Sequence, residues 1–175
     1  MCQTTPLLQV VLYQPEIPQN TGNVARTCAA TGTPLHLVEP LGFSLEDRYL
    51  KRAGLDYWPV VSLHVHPNVE ALRRELASCR WVCFSTRAQR VYYDFEFLPG
   101  DCLLFGSETA GLPECMLSLE PDNVLKIPIE RSRVRSLNLA TTVGVALFEA
   151  MRQLTLHRRV FPRSQFPEPV LGPKE

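Results

Sequence analysis

The chain has 175 residues, with 18 Lys and Arg against 18 Asp and Glu, so its formal net charge is zero. Its 45% hydrophobic and 21% charged content are those of a soluble globular protein with a substantial core. No apolar run approaches a membrane span, the first residues lack the basic-then-apolar order of a signal peptide, and a neutral sum creates no global field for a polyanion.

Leu7 to Tyr13 is a short apolar run that predicts a buried strand. Pro15 and Pro18 then interrupt regular structure. From Thr21 the spacing turns helical, with Val24 and Cys28 four apart and Ala25 and Ala29 beside them, until Gly32 stops it. Asn20 stands where it can cap this helix, and Arg26 falls within its second turn. Leu35 to Val38 reads as a second strand. Ser44 followed by Asp47 resembles a helix start, closed by Gly54. Pro59 to Val65 is a further strand candidate. Asn68 can cap the next helix, where Val69, Leu72 and Leu76 form an apolar stripe opposite Glu70, Arg73, Arg74 and Glu75. Trp81 to Ser85, Cys102 to Phe105 and Val124 to Ile127 are strands, while the aromatic stretch Tyr92 to Leu98 fits neither period. The last helix runs from Leu137 to His157. It carries no charge between Leu137 and Phe148, so the sheet or another subunit must cover it. Strands alternating with helices predict an α/β fold with a mostly parallel sheet. The organisation is one domain over 1–159, followed by a tail over 160–175 whose four prolines predict extended or disordered chain.

The six cysteines, at positions 2, 28, 79, 83, 102 and 115, include one close pair, Cys79 and Cys83, but no second pair to complete a zinc set. They read as reduced, mostly buried thiols of a cytoplasmic protein, and no metal is expected. His36, His64, His66 and His157 fall on strand-like or peripheral segments, and nothing local activates a cysteine for a Cys–His pair. Of the 18 cations, 15 are arginines, whose planar fork binds phosphate, so local clusters can still hold RNA.

Three segments carry more. Ile127 to Asn138 leaves a strand, passes Arg131, Arg133 and Arg135, and enters the long helix through Ser136-Leu137-Asn138. Gly106-Ser-Glu-Thr-Ala-Gly111 follows a strand without the lysine ending of a P-loop or the glycine pattern of a dinucleotide turn, which argues against an NAD-dependent oxidoreductase. Gly106 would let backbone approach a ligand closely, with Glu108 at the strand's C-terminal edge. Asn20 to Arg26 has the same location after the first strand.

Together with Leu12 to Arg26, Arg52 to Trp58, Leu104 to Pro113 and Ile127-Pro128, these segments resemble the SPOUT class of RNA methyltransferases, and within it the small enzymes that methylate the ribose of the tRNA wobble nucleotide. The order and spacing match from residue 7 to about 156. The resemblance implies an α/β sheet with a deep C-terminal trefoil knot, S-adenosylmethionine as cofactor, tRNA as substrate and a homodimer. It implies a cofactor pocket built from Phe84, Gly106, Ile127, Ser136 and Leu137, and a catalytic set of Asn20, Arg26, Glu108, Ser136 and Asn138, in which Arg26 orients the ribose hydroxyl and an adjacent phosphate. The competing reading is a non-catalytic RNA-binding module on the same knot, which would have no use for the whole set.

Overall fold

The structure is a computed structural model that describes residues 6–45 and 60–156. The expected helix from Ser44 to Gly54, the motif from Arg52 to Trp58 and the tail lie wholly or largely outside the described residues.

Seven parallel strands form one sheet: β1 (Leu8–Tyr13), β2 (Leu35–Val38), β3 (Leu63–His66), β4 (Trp81–Phe84), β5 (Arg90–Val91), β6 (Asp101–Phe105) and β7 (Val124–Lys126), in the order β3-β2-β1-β6-β4-β7-β5. The helices are α1 (Pro18–Thr31), α2 (Val69–Glu75), α3 (Glu114–Leu117) and α4 (Leu139–Leu156). A parallel sheet is covered on both faces, so its strands read as apolar runs whose alternate residues serve two cores. Val10, Leu12, Val82, Phe84, Leu103 and Phe105 point to one core, which α1 and α4 close with Val24, Cys28, Val143, Leu147 and Leu154. Val11, Cys83, Cys102 and Leu104 point to the other, closed by Leu72 and Leu76 of the α2 region and by Met116 and Leu117 of α3.

The long final helix is therefore covered along one stripe, where Val143, Ala146, Leu147 and Ala150 are wholly buried. Its opposite side is not covered by the described residues, and Phe148 is 56% exposed. Asn68 caps α2 as expected, accepting a hydrogen bond from the Ala71 amide at 2.8 Å. The aromatic stretch resolves into a 3₁₀ turn over Tyr92–Asp94 and an extended segment that buries Phe95 and Phe97.

The first helix corrects the sequence reading. It begins at Pro18, not Thr21, because proline is tolerated at a first helical position, where its missing N–H would have no partner. Ile17 is the N-cap, with no side-chain cap hydrogen bond, so Asn20 lies inside the helix and caps nothing. Arg26 moves with it, from the second turn to the third, about 12 Å along the axis from Pro18. Gly32 ends the helix in the left-handed conformation, φ 64°, a geometry costly for any residue with a Cβ.

One feature of the topology prepares the site. Leu125 of β7 pairs with Phe84 on one side and with Arg90 on the other. Residues 85–89 thus cross from β4 to β5 over the end of β7, a span of two strand spacings, about 9.6 Å. The chain leaving β7 runs past this crossing strap, where Arg131 Nη2 donates to the Thr86 carbonyl.

Candidate active site

A cleft of about 530 Å³ opens at the C-terminal ends of the central strands. Open α/β sheets bind ligands at this edge, where loops leave backbone groups free. Its walls come from the strap after β4 (Phe84 to Arg87), the loop after β6 (Gly106 to Leu112), the segment from β7 to α4 (Ile127, Ile129 and Arg135 to Leu139), and Ile17 and Asn20 of α1. Phe84 and Phe105 stack at the base with ring centroids 4.9 Å apart.

The loop after β6 is shaped by its glycines. Gly111 takes φ 71° and bridges back to Ser107. A Cβ placed on Gly106 would lie 2.0 Å from the Gly111 carbonyl carbon and 2.2 Å from the Leu112 nitrogen. The bare α-carbon of Gly106 is thus required by the loop's own backbone. Gly106 still lines the cleft.

Glu108 is the organising charge. Its Oε2 accepts from the Glu16 amide at 2.8 Å, and its Oε1 accepts from the Ile17 amide at 3.3 Å and from Asn20 Nδ2 at 2.9 Å. The carboxylate meets amides at the start of α1, where the helix dipole favours an anion. It holds the two residues that lead into the helix rather than capping its first turn. Asn20 Oδ1 in turn accepts from Asn138 Nδ2 at 2.9 Å. Asn138 Oδ1 accepts from the amides of Ala140 and Thr141 at 2.9 and 3.3 Å, capping α4. A second clasp backs the first, with Thr109 Oγ1 donating to Glu16 Oε1 at 2.6 Å.

Of the residues singled out from sequence, Asn20, Phe84, Gly106, Glu108, Ile127, Ser136, Leu137 and Asn138 all line this cleft. Arg26 does not; it is exposed on α1. Ile17 and Thr142 also line the cleft and were not foreseen. They are an apolar residue before a proline and a threonine in a helix, neither of which has a chemical signature. Arg131, Arg133 and Arg135, singled out from sequence, lie on an exposed loop. Arg87 is held by Glu114 Oε2 at 3.2 Å and the Leu112 carbonyl at 2.9 Å, and Arg90 by the carbonyls of Asp94 and Asp122, at 3.1 and 3.4 Å, and the Phe95 ring.

Away from the cleft, the sequence reading missed a buried polar line on the α2 face. Gln9, His36 and His66 are all below 7% exposed. Burial holds His36 down at about 3 and lowers His66 as well, against the pull of the Glu75 carboxylate. The visible signal was the two-residue spacing of His64 and His66, which sets both on one face of a strand.

The profile of the SpoU rRNA Methylase family matches residues 7–148. A tRNA (cytidine(34)-2'-O)-methyltransferase from Methylovorus glucosotrophus is 48% identical over 148 residues, 84% of this chain and 96% of that protein. A solved structure described as "Structural insights into the 2-OH methylation of C/U34 on tRNA" is 54% identical and superposes with a TM-score of 0.81, over 87% of this chain and 99% of its own. An AdoMet-bound rRNA methyltransferase from Sinorhizobium meliloti is 27% identical with a TM-score of 0.76, over 88% of this chain and 59% of its own. The parallel sheet, the cleft at its C-terminal edge and the match over most of the chain agree: this protein belongs to the SpoU rRNA methylase family.

Proposed function

We propose that this chain transfers a methyl group from S-adenosylmethionine to the ribose 2′-hydroxyl of tRNA nucleotide 34, a cytidine or uridine. The observation that carries the reading is the Glu108–Asn20–Asn138 line of hydrogen bonds across the mouth of the cleft, in a chain whose relatives of 48 and 54% identity bear names tied to this reaction. A binding module has no need to lock three loops to one another at a cavity of this size.

The cleft fits the cofactor by its chemistry. Phe84, Phe105, Ile127 and Leu137 offer apolar surface suited to a purine, the backbone of the 106–111 loop offers amides and carbonyls, and Ser136 adds a hydroxyl. When bound, S-adenosylmethionine supplies a methyl group already activated on a sulfonium. The chain's own residues have positioning to do. Glu108 and Asn20 fix the start of α1 against the β6 loop, and Asn138 fixes Ser136 and Leu137 by capping the helix that follows them. A reacting pair held within contact distance gains most of its acceleration from such fixed geometry. Arg26 orients the ribose hydroxyl and its phosphate.

Because Arg26 lies outside its own chain's cleft, the reading includes a homodimer in which α1 and α4 pair about a two-fold axis and one copy's Arg26 reaches the partner's cleft. The uncharged stretch of the chain from Leu137 to Phe148, the exposed Phe148, and Ile17 and Leu137 at 41 and 36% exposure support it. The strap over β7 supports a trefoil knot closed by the 127–138 segment. Arg131, Arg133 and Arg135 are the tRNA contacts. The reading places one catalytic domain over 1–159, at work in the cytoplasm. Among the described residues no helix is long and apolar enough to cross a membrane.

The test is methyl transfer from labelled S-adenosylmethionine to unmodified tRNA, with the methylated ribose mapped. A 2′-O-methyl at position 34 is expected. Cofactor binding without transfer to any tRNA would favour the binding module.

A further inference from the structure

A second site lies on the α2 face, and none of its residues lines the cleft. Gln9 Oε1 lies 2.6 Å from His36 Nε2, so that nitrogen carries the ring proton and His36 Nδ1 presents its lone pair. His66 Nε2 is 3.0 Å from His36 Nδ1. If His66 donates there from a neutral ring, its Nδ1 is bare and faces Glu75 Oε2 at 3.6 Å, acceptor against acceptor. Hydrogen bonds among these groups leave the outer end of the line short of a positive charge.

We propose that His36, His66 and Glu75 form a binding site for a divalent transition-metal ion, Zn²⁺ by donor type. One ligand atom of each lies within 4.8 Å of the other two. Two imidazole nitrogens and a carboxylate oxygen, with a fourth position left to water, are a donor set that zinc takes. The ion replaces the single proton between His36 Nδ1 and His66 Nε2. Tetrahedral bonds of about 2.0–2.1 Å separate two nitrogens by about 3.3 Å, so the rings need only part slightly from their 3.0 Å. His66 then carries its proton on Nδ1, and Glu75 turns from that nitrogen to the ion. Glu75 is 47% exposed at the end of α2, which gives it freedom to close on the ion and gives the ion a way in. His64 Nδ1, 3.2 Å from Glu75 Oε1, holds the carboxylate over the pair. Behind the ligands, the Gln9 carbonyl fixes the His36 ring, and Gln9 Nε2 is held 3.2 Å from Cys79 Sγ. Such outer partners set the tautomer and orientation of a ligating histidine.

The experiment titrates the full chain, stripped with chelator, with Co²⁺ and then Zn²⁺. One Co²⁺ per chain is expected, with the strong visible absorption of a four-coordinate ion, displaced by Zn²⁺. Glu75→Gln alters a half-exposed position and leaves both imidazoles in place, so it folds; it should weaken Zn²⁺ binding roughly 10- to 100-fold. His66→Gln should weaken it at least as much. Equal Zn²⁺ affinity in the wild type and Glu75→Gln, or no Co²⁺ uptake, would overturn the site. A thiolate-to-cobalt charge-transfer band would overturn it too, by assigning the ion to cysteine.

Discussion

Asn138 Nδ2 donates to Asn20 Oδ1 across 2.9 Å in space and 118 positions in sequence. Each asparagine spends its other end on a different partner, Asn20 on Glu108 and Asn138 on the first amides of α4. Two short side chains thereby tie the start of the first helix, the loop after β6 and the start of the last helix into one unit. Removing one member leaves the facing groups of its neighbours without that partner.

Glu108→Ala therefore leaves three donors without their acceptor: the amides of Glu16 and Ile17 and the Asn20 side chain. The Glu16 amide and the Asn20 side chain are partly buried, and each such donor left without a partner costs about 1 kcal/mol or more, whereas the exposed Ile17 amide can turn to water. The variant should melt several degrees lower yet fold, and it should lose roughly 100-fold in methyl transfer through misplacement of the loops. Thermal melting with single-turnover kinetics tests both parts. Unchanged transfer in a folded Glu108→Ala protein would remove the line from catalysis.

Arg26→Ala should separate chemistry from folding. Arg26 is exposed on the third turn of α1, and alanine is the better helix former, so stability should stay within about 0.5 kcal/mol. Transfer should be lost while S-adenosylmethionine still binds, since Arg26 does not line its own chain's cleft. Calorimetry and turnover on the same preparation make the comparison. A folded variant with near-wild-type turnover would end the catalytic assignment of Arg26.

What could be read from sequence, and what could not, divides by physical range. β1, β2, β4, β6 and β7 were legible because each is an apolar run bounded by turn residues, and the left-handed stop at Gly32 was legible because glycine meets it at least cost. The start of α1 was misplaced because Pro18 breaks a helix interior but opens a helix at its first position. Asn20 was singled out for the wrong local reason, since its partner Glu108 is 88 residues away. Gly106 belongs to the cleft, yet its lack of a side chain serves the backbone of Gly111 and Leu112. No periodicity announces that β2 and β3 set His36 opposite His64 and within reach of His66, because parallel register joins residues distant in sequence.

The thiols should divide by burial. Burial pushes Cys28 up to about 12 and, with help from Glu120, Cys83 up to about 12, and it raises Cys102 well above its ordinary 9.0. The thiolate is the nucleophile, so these three should resist iodoacetamide at pH 8, while the exposed Cys115 is labelled. The same shift sets an alkaline limit. A thiol whose folded value lies above its unfolded one contributes stability that is complete below pH 9 and fades as pH rises from there toward 12. Native mass spectrometry after labelling, and melting between pH 8 and 11, check the two consequences. Labelling of Cys28 as fast as Cys115 would contradict them.

The dimer and the arginine loop can be tested together. A chain of zero net charge has no long-range attraction for tRNA, so binding must come from local cations. Arg131, Arg133 and Arg135 sit on an exposed loop, with Arg135 lining the cleft, and the proposed two-fold assembly would double the set on one surface. Affinity for tRNA should then fall steeply with salt in spite of the neutral sum. Each phosphate contact removed should flatten the slope of log K against log salt by roughly 0.7 to 0.9. Arg133→Ala is the cleanest probe, because Arg131 also holds the Thr86 carbonyl and Arg135 lines the cleft. Phe148→Glu places a charge on the exposed side of α4 and should split the assembly into folded monomers that bind tRNA weakly and transfer no methyl group. Sedimentation of Phe148→Glu at micromolar concentration, with turnover measured alongside, decides the matter. A fully active monomer would refute the shared site, and a salt slope unchanged by Arg133→Ala would remove that arginine from the RNA surface.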